Sequence, residues 1–167
     1  MKNILSILCG RIVAILSYTF PFMEISSCFA AKVFLTPESK ILRYLYTNYI
    51  LHITKLYSGH PLVFFILPFG TFLTFSRGII PAPKYVRFNV IQAILLNVFC
   101  SFISSAFPLL PLWIRESILG LLIANFLYLG VSFLIVYSSL LISFGRYPVV
   151  PVLSEAARLQ VTKVKGT

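Results

Sequence analysis

The chain has 167 residues, of which 59% are hydrophobic and 11% charged, and its mean hydropathy is +0.94. Soluble domains are about a quarter charged, so this composition excludes a soluble enzyme, a disordered tail and a disulfide-stapled secreted module, and it makes lipid the solvent. Lys and Arg number 14 against 4 acids, a net charge of +10; these basic residues fall mostly between long apolar runs, which reads as membrane topology and attraction to anionic headgroups, not as a nucleic-acid surface.

A spanning helix needs about 20 mostly apolar residues. Residues 11–28 form the first candidate, with Pro21 and Glu24 near its far end. Its apolar run continues past the length of a signal-peptide core, no small-residue cleavage site precedes Glu24, and the start is not an Arg- and Ser-rich transit segment. The expectation is a chain made without a removable address. Residues 37–58 follow. In helical projection Ile41, Leu42, Leu45, Tyr46, Tyr49, Ile53, Leu56 and Tyr57 share one side, with Lys40, Arg43, Thr47, Thr54 and Lys55 on the other and Tyr44 and Leu51 breaking the pattern. This predicts an amphipathic helix over about 38–57, lying in the headgroup plane; the charges at 40, 43 and 55 argue against a fifth span.

The second span, 60–76, is short and carries Pro61 and Pro68; the third covers 86–107; the fourth, 117–143, contains no charge; a C-terminal segment covers 148–167. The expected fold is therefore an all-α membrane protein, a single integral domain of four transmembrane helices with an interfacial amphipathic helix between the first and second. With four spans, Lys2, Arg11, Arg77, Lys84, Arg87, Arg146, Arg158, Lys163 and Lys165 lie on one side, and Lys32, Lys40, Arg43, Lys55 and Arg115 on the other. The asymmetry puts both termini on the cytosolic or stromal side.

The third span is two-faced. Asn89, Gln92, Ala93, Leu96, Asn97, Cys100 and Ser104 share an arc, opposite Ile91, Ile94, Leu95, Val98, Phe99 and Phe102. A carboxamide facing lipid without a partner is costly. The fourth span repeats the pattern, with Ser117, Gly120, Ala124, Asn125, Tyr128, Ser132, Ser139 and Ser143 against a greasy arc; Gly120 and Ala124 form a small-xxx-small step that allows close backbone approach. The two polar faces are expected to pack on each other, with room for a third partner. They serve either as interhelical hydrogen bonds, worth about 0.6 kcal/mol each, or as a hydrophilic lining in which Asn89, Gln92, Asn97, Asn125 and Ser132 offer uncharged groups to an extended polypeptide.

Glu24 is the acid placed within the apolar depth. It reads either as an interfacial residue reaching headgroup water or as a partner of Arg115, since Arg87 begins the third span at the opposite depth. Cys9, Cys28 and Cys100 are widely spaced, and His52 and His60 have no ligand neighbours at metal spacing. No phosphate loop, catalytic triad or acid pair occurs, so the sequence predicts no enzyme, no cofactor and no metal site. Near the C-terminus Ser154 is expected to cap a short helix with Glu155 in its first turn. That helix either docks near the start of the third span or forms a basic tail held by anionic lipid.

Three blocks carry a family resemblance: Tyr57-Ser58-Gly59-His60-Pro61 before the second span; Arg87-Phe88-Asn89-Val90-Ile91-Gln92-Ala93-Ile94-Leu95-Leu96 opening the third; and Ser154-Glu155-Ala156-Ala157-Arg158-Leu159-Gln160-Val161 after Pro148 and Pro151. Together they resemble the Tic-twenty family, the twenty-kilodalton subunit of the translocon at the inner envelope membrane of chloroplasts. The resemblance covers residues 10–161, most strongly 57–161, and Leu16 to Glu24 is a looser match. Arg87, Phe88, Ser154, Glu155 and Gln160 are its motif residues here. The chain departs at Asn97, where relatives often have an acid, and at Arg158, where they often carry an aromatic residue or Met.

The resemblance implies four spans with both termini in the stroma and a part in importing preproteins across the inner envelope. The implied partners are other translocon subunits, transiting preproteins, membrane lipid and a second copy of the chain, with no nucleic acid and no catalytic residues. It further suggests a plastid-encoded copy; a cyanobacterial membrane is the other expected setting. Two functions stay open: a contribution to the preprotein-conducting path, or a non-conducting membrane scaffold that binds helices of partner subunits. A small-solute transporter lacks the expected repeat or midplane charge pair.

Overall fold

The computed structural model describes residues 2–35, 39–80 and 82–163, and these are helical throughout apart from the connections. The first span is a broken rod: α1 (Lys2–Ser17), α2 (Thr19–Ile25), a π-helical turn (Ser26–Ala30) and α3 (Ala31–Leu35). Pro21 has no N–H to give the Ser17 carbonyl, and the helix breaks at the intervening Tyr18. Its membrane-crossing part runs Leu8–Leu35, past the expected end at residue 28. The extension tolerates Lys32 because that ammonium is provided for: it donates to the Arg115 carbonyl, lies 3.6 Å from Glu116 and sits 5.7 Å from the Phe107 ring.

Helices α4 (Lys40–Leu45) and α5 (Leu51–Gly59), joined by a π-helical turn (Tyr46–Ile50), form the amphipathic element. Ser39 caps it by accepting from the Leu42 N–H at 3.5 Å. Glu38, where the element was expected to start, lies outside the described residues, as do residues 164–167. At His60 the chain turns into α6 (Pro61–Ser76) with an 84° angle between the two helices. A near-right angle suits a helix lying in the headgroup plane that feeds one crossing the membrane. Pro61 at the first position costs α6 nothing, since that N–H has no helical partner anyway. With 16 residues at about 1.5 Å each, α6 reaches about 24 Å, short of a typical hydrocarbon core of roughly 30 Å.

The third span is α7 (Lys84–Ala106), continued by a 3₁₀ turn to Leu109; a short α8 (Leu112–Arg115) leads into the fourth, α9 (Ile118–Ser143), and α10 (Leu153–Lys163) follows. Ser117 caps α9, accepting from the Gly120 N–H at 3.4 Å. Gly120 itself serves the α8–α9 corner: a Cβ there would come within 2.3 Å of the Arg115 carbonyl oxygen. Its missing side chain admits that turn, which corrects the expectation that Gly120 marks a helix crossing.

α7 is the hub, packing against α1, α2, α6 and α10, whereas α9 packs against α1, α2, α3 and the first π-helical turn. The third and fourth spans are thus not joined polar face to polar face. The first span is wedged between them, and its Ala14, Tyr18, Ile25 and Phe29 bury against Ala93, Leu96 and Cys100 of α7 and against Ala124, Tyr128 and Val131 of α9. α7 and α9 meet near one end, where the Tyr85 hydroxyl donates to the Ile142 carbonyl at 3.0 Å. Nor is the greasy arc of α7 all lipid-facing. Ile91 and Ile94 are buried with Phe75 of α6, Phe88 and Ala157 of α10, while Val98, Phe99 and Phe102 stay exposed.

Ser154 is the second residue of α10, not its cap. Its hydroxyl accepts from the Val150 N–H at 2.7 Å and donates to the Pro148 carbonyl at 3.4 Å, so it fastens the turn before the helix. α9 ends at Gly145, whose φ of +73° disfavours any side chain and where a Cβ would lie 2.6 Å from the Arg11 guanidinium.

Arg87 locks α6 to α7. Its Nε donates to the Phe75 carbonyl at 3.0 Å and its Nη2 to the Ser76 carbonyl at 3.4 Å, placing a cation on the C-terminal carbonyls of α6. Arg87→Ala should lower the stability of the bundle by about 1.5–3 kcal/mol, the range for hydrogen bonds to a charged group, and Arg87→Lys should restore only part of it because Lys cannot present the two-pronged fork. Equilibrium unfolding in mixed micelles measures this, and an unchanged midpoint for Arg87→Ala would remove the lock.

Candidate functional site

Between α6 and α7 lies a groove of about 550 Å³. Phe64, Phe65, Pro68, Phe69 and Phe72 form one wall; Ile94, Leu95, Asn97, Val98, Ser101 and Ser105 form the other; Glu24 from the first span and Tyr57 from α5 complete it. The aromatic wall follows from sequence spacing, since positions 64, 65, 68, 69 and 72 fall on one helical stripe. The rim residues Phe65, Phe69 and Val98 are exposed, so the groove opens toward lipid.

The floor is polar. Glu24 is 8% exposed and its Oε2 accepts a hydrogen bond from the Tyr57 hydroxyl. Ser101 and Ser104 of α7 also face this carboxylate. Arg115 is not its partner: that guanidinium lies 3.5 Å from Glu116 and donates to the Pro108 carbonyl at 3.4 Å. The Glu24–Tyr57 bond, together with the Tyr57 ring packed 4.9 Å from Phe64, ties the amphipathic element to the first and second spans. Asn97 is 7% exposed, and its Oδ1 has no protein partner among the described residues. Pro68 has no N–H for the Phe64 carbonyl one turn earlier, so the α6 ladder lacks one bond beside the aromatic wall.

Of the five residues expected on a polar path or packing face, Asn97 alone lines this groove. Asn89 is fully buried, donating from Nδ2 to the Tyr85 carbonyl at 2.8 Å while its Oδ1 lacks a partner. Gln92 is also fully buried, with neither polar atom partnered by the described protein. Asn125 is half-buried on α9, and Ser132 lies with Ser26 beside the Tyr128 hydroxyl.

The motif residues gather at the end of the bundle where α10 meets the start of α7. Arg87 holds α6, Phe88 stacks edge-on against Tyr147 at 5.2 Å, Ser154 fastens the turn before α10, Gln160 is half-buried and Glu155 is exposed. Two blocks far apart in the chain thus meet through α7 and α10. Sequence reasoning missed the link from Glu24 to Tyr57, because the two residues were assigned to separate elements with no periodic relation.

Gln92→Leu should leave stability unchanged or raise it by about 1 kcal/mol, because an amide buried without a partner costs about 1–3 kcal/mol. Unfolding in mixed micelles measures it, and a loss above about 2 kcal/mol would show that the amide is bonded in the membrane.

Comparison with known proteins gives this architecture its relatives. Residues 8–157 match the family described as chloroplast import apparatus Tic20-like. The chain is 31% identical over 153 residues to the Tic20 family protein Ycf60 of Gracilaria tenuistipitata var. liui, covering 90% of this chain and 74% of that protein. It is 30% identical over 151 residues to the Ycf60 protein of Cyanidium caldarium, covering 90% and 73%. With the Ycf60 protein of Pyropia yezoensis it shares 31% identity over 155 residues, covering 91% and 75%.

Proposed function

The chain belongs to the Tic20-like family of the chloroplast import apparatus, and from that premise we propose that it supplies one wall of the route taken by preproteins, at the groove between α6 and α7. Family membership carries a role in chloroplast protein import and a place in a plastid membrane. The finer reading rests on one observation: the polar faces of α7 and α9 are turned inward onto the first span, while the groove combines a polar floor with an opening on the bundle surface. A groove of about 550 Å³ holds a few side chains of an extended segment, not a folded chain. The rest of the route is supplied by other translocon subunits or by a second copy. No step in this reading is catalytic.

The orientation completes the proposal. Arg11, Tyr85 and Arg146 come together at one end of the bundle: Arg11 donates to the Ser143 carbonyl at 2.9 Å and Tyr85 to the Arg146 carbonyl at 3.3 Å. Arg87 lies two residues beyond Tyr85 on the same helix. This basic end is assigned to the stroma, following the preference of Lys and Arg for the side from which insertion proceeds, and the inner envelope is the membrane that the family resemblance implies.

Photocrosslinkers placed at Phe69 and Asn97, and at Gln92 as an enclosed control, test the reading during import of a labelled preprotein into isolated plastids. Adducts with the moving chain are expected at Phe69 and Asn97 and not at Gln92. Adducts with neighbouring subunits alone would make the chain a non-conducting scaffold.

A further inference from the structure

The groove carries one acid, Glu24, among neutral hydroxyls and one carboxamide. The Glu24 carboxylate, with up to four lone-pair directions, spends one on the Tyr57 hydroxyl and faces Ser101 and Ser104. Asn97 presents a buried Oδ1 with no protein partner among the described residues. Four phenylalanine rings, at 64, 65, 69 and 72, line the same space, and their faces carry partial negative charge. Among the described residues, the groove lining contains no Lys, Arg or His. In a chain of net charge +10, this is a local site of the opposite character. Of the other acids among the described residues, Glu116 is exposed at the α8–α9 corner and Glu155 on α10.

We infer that the groove is selective for a cationic side chain on the segment it holds, with Glu24 and Asn97 as the specificity-determining residues and the phenylalanine wall as a cation–π surface. The inference rests on the proposed contact between this groove and preproteins and names the chemistry of that contact. An arginine or lysine in an otherwise apolar segment would place its stem along Phe65 and Phe69 and its head between Glu24 and Asn97. A carboxylate at the same depth would meet Glu24 and the ring faces and be rejected. A neutral apolar segment would fit the walls but leave the acceptors unmet.

The test uses the full chain in lipid nanodiscs with a photocrosslinker at Phe69, and synthetic 20-residue apolar peptides identical except for one central Arg, Gln or Glu. The Arg peptide is expected to be captured at about tenfold lower concentration than the Gln peptide, the ratio set by one hydrogen bond to a charged group, and the Glu peptide less well than either. Glu24→Gln should abolish the Arg advantage, so that the Arg and Gln peptides are captured at the same concentration. Asn97→Leu, which keeps the carboxylate, should reduce the advantage without removing it. Equal capture of the Arg and Gln peptides, or an Arg advantage that survives Glu24→Gln, overturns the cation selectivity and leaves the groove as a contact site. Capture of none of the peptides overturns the selectivity and the contact reading together.

Discussion

The bundle is organised by the cost of a carboxamide in lipid. α7 carries Asn89, Gln92 and Asn97 in the middle of an apolar helix, and an unpartnered amide in hydrocarbon costs several kcal/mol. The structure shields these groups from lipid by enclosing the helix, with the Asn89 amide donating to the Tyr85 carbonyl and Gln92 enclosed without a partner among the described residues. The first span covers one face, and α6 with α10 covers the next, so that Asn89 and Gln92 reach zero exposure. The position of every other helix follows. α9, whose polar groups are hydroxyls and one amide, needs one buried face and accepts a peripheral place against the first span; its far side, from Leu119 to Phe133, is left to lipid.

The polar periodicity visible in a sequence therefore identifies which faces turn inward but not what they turn toward. The two arcs on α7 and α9 are real; that of α7 is buried from Asn89 to Cys100, while that of α9 is buried at Gly120, Ala124 and Tyr128 and only half-buried at Asn125, Ser132 and Ser139. The partner is the first span, whose own contribution of Tyr18, Ser26 and Ser17 is scattered around the Pro21 break and has no clean period to read. Conversely, Ile91 and Ile94 look like lipid-facing residues because nothing in the local pattern announces that α10 will return to cover them. Helix boundaries were readable where chemistry changes sharply, as at Ser117 and Pro61. They were not at residue 28, because Lys32 is compensated by Glu116 and the Arg115 carbonyl, which lie far away in the chain.

The groove is a consequence of α6 being short and peripheral. A helix of 16 residues cannot cover the full height of α7, and Pro68 in its middle removes one bond of its own ladder. Arg87 fixes its C-terminal end to α7. The Tyr57 bond to Glu24 fixes the chain just before its N-terminal end to the first span. Held at both ends and interrupted between them, α6 leaves a concavity at the level of Pro68 and Asn97. The amphipathic element is therefore a structural strut as well as an interfacial helix: through Tyr57 it sets where the aromatic wall stands relative to the polar floor.

A single carboxylate on such a floor changes what a conduit does. A lining of uncharged amides and hydroxyls treats successive residues alike, while a fixed acid distinguishes them by sign. It need not trap a cation. Desolvating a guanidinium largely offsets the Coulomb gain of pairing it in a low-dielectric site, and Glu24 already shares its charge with Tyr57. The net hold on an arginine is then small enough for a moving segment to leave. The penalty for presenting a carboxylate at the same place has no such offset, because repulsion and desolvation act in the same direction. On the proposed reading, a groove of this kind excludes a carboxylate more strongly than it holds a cation, a selectivity compatible with movement of a segment past it.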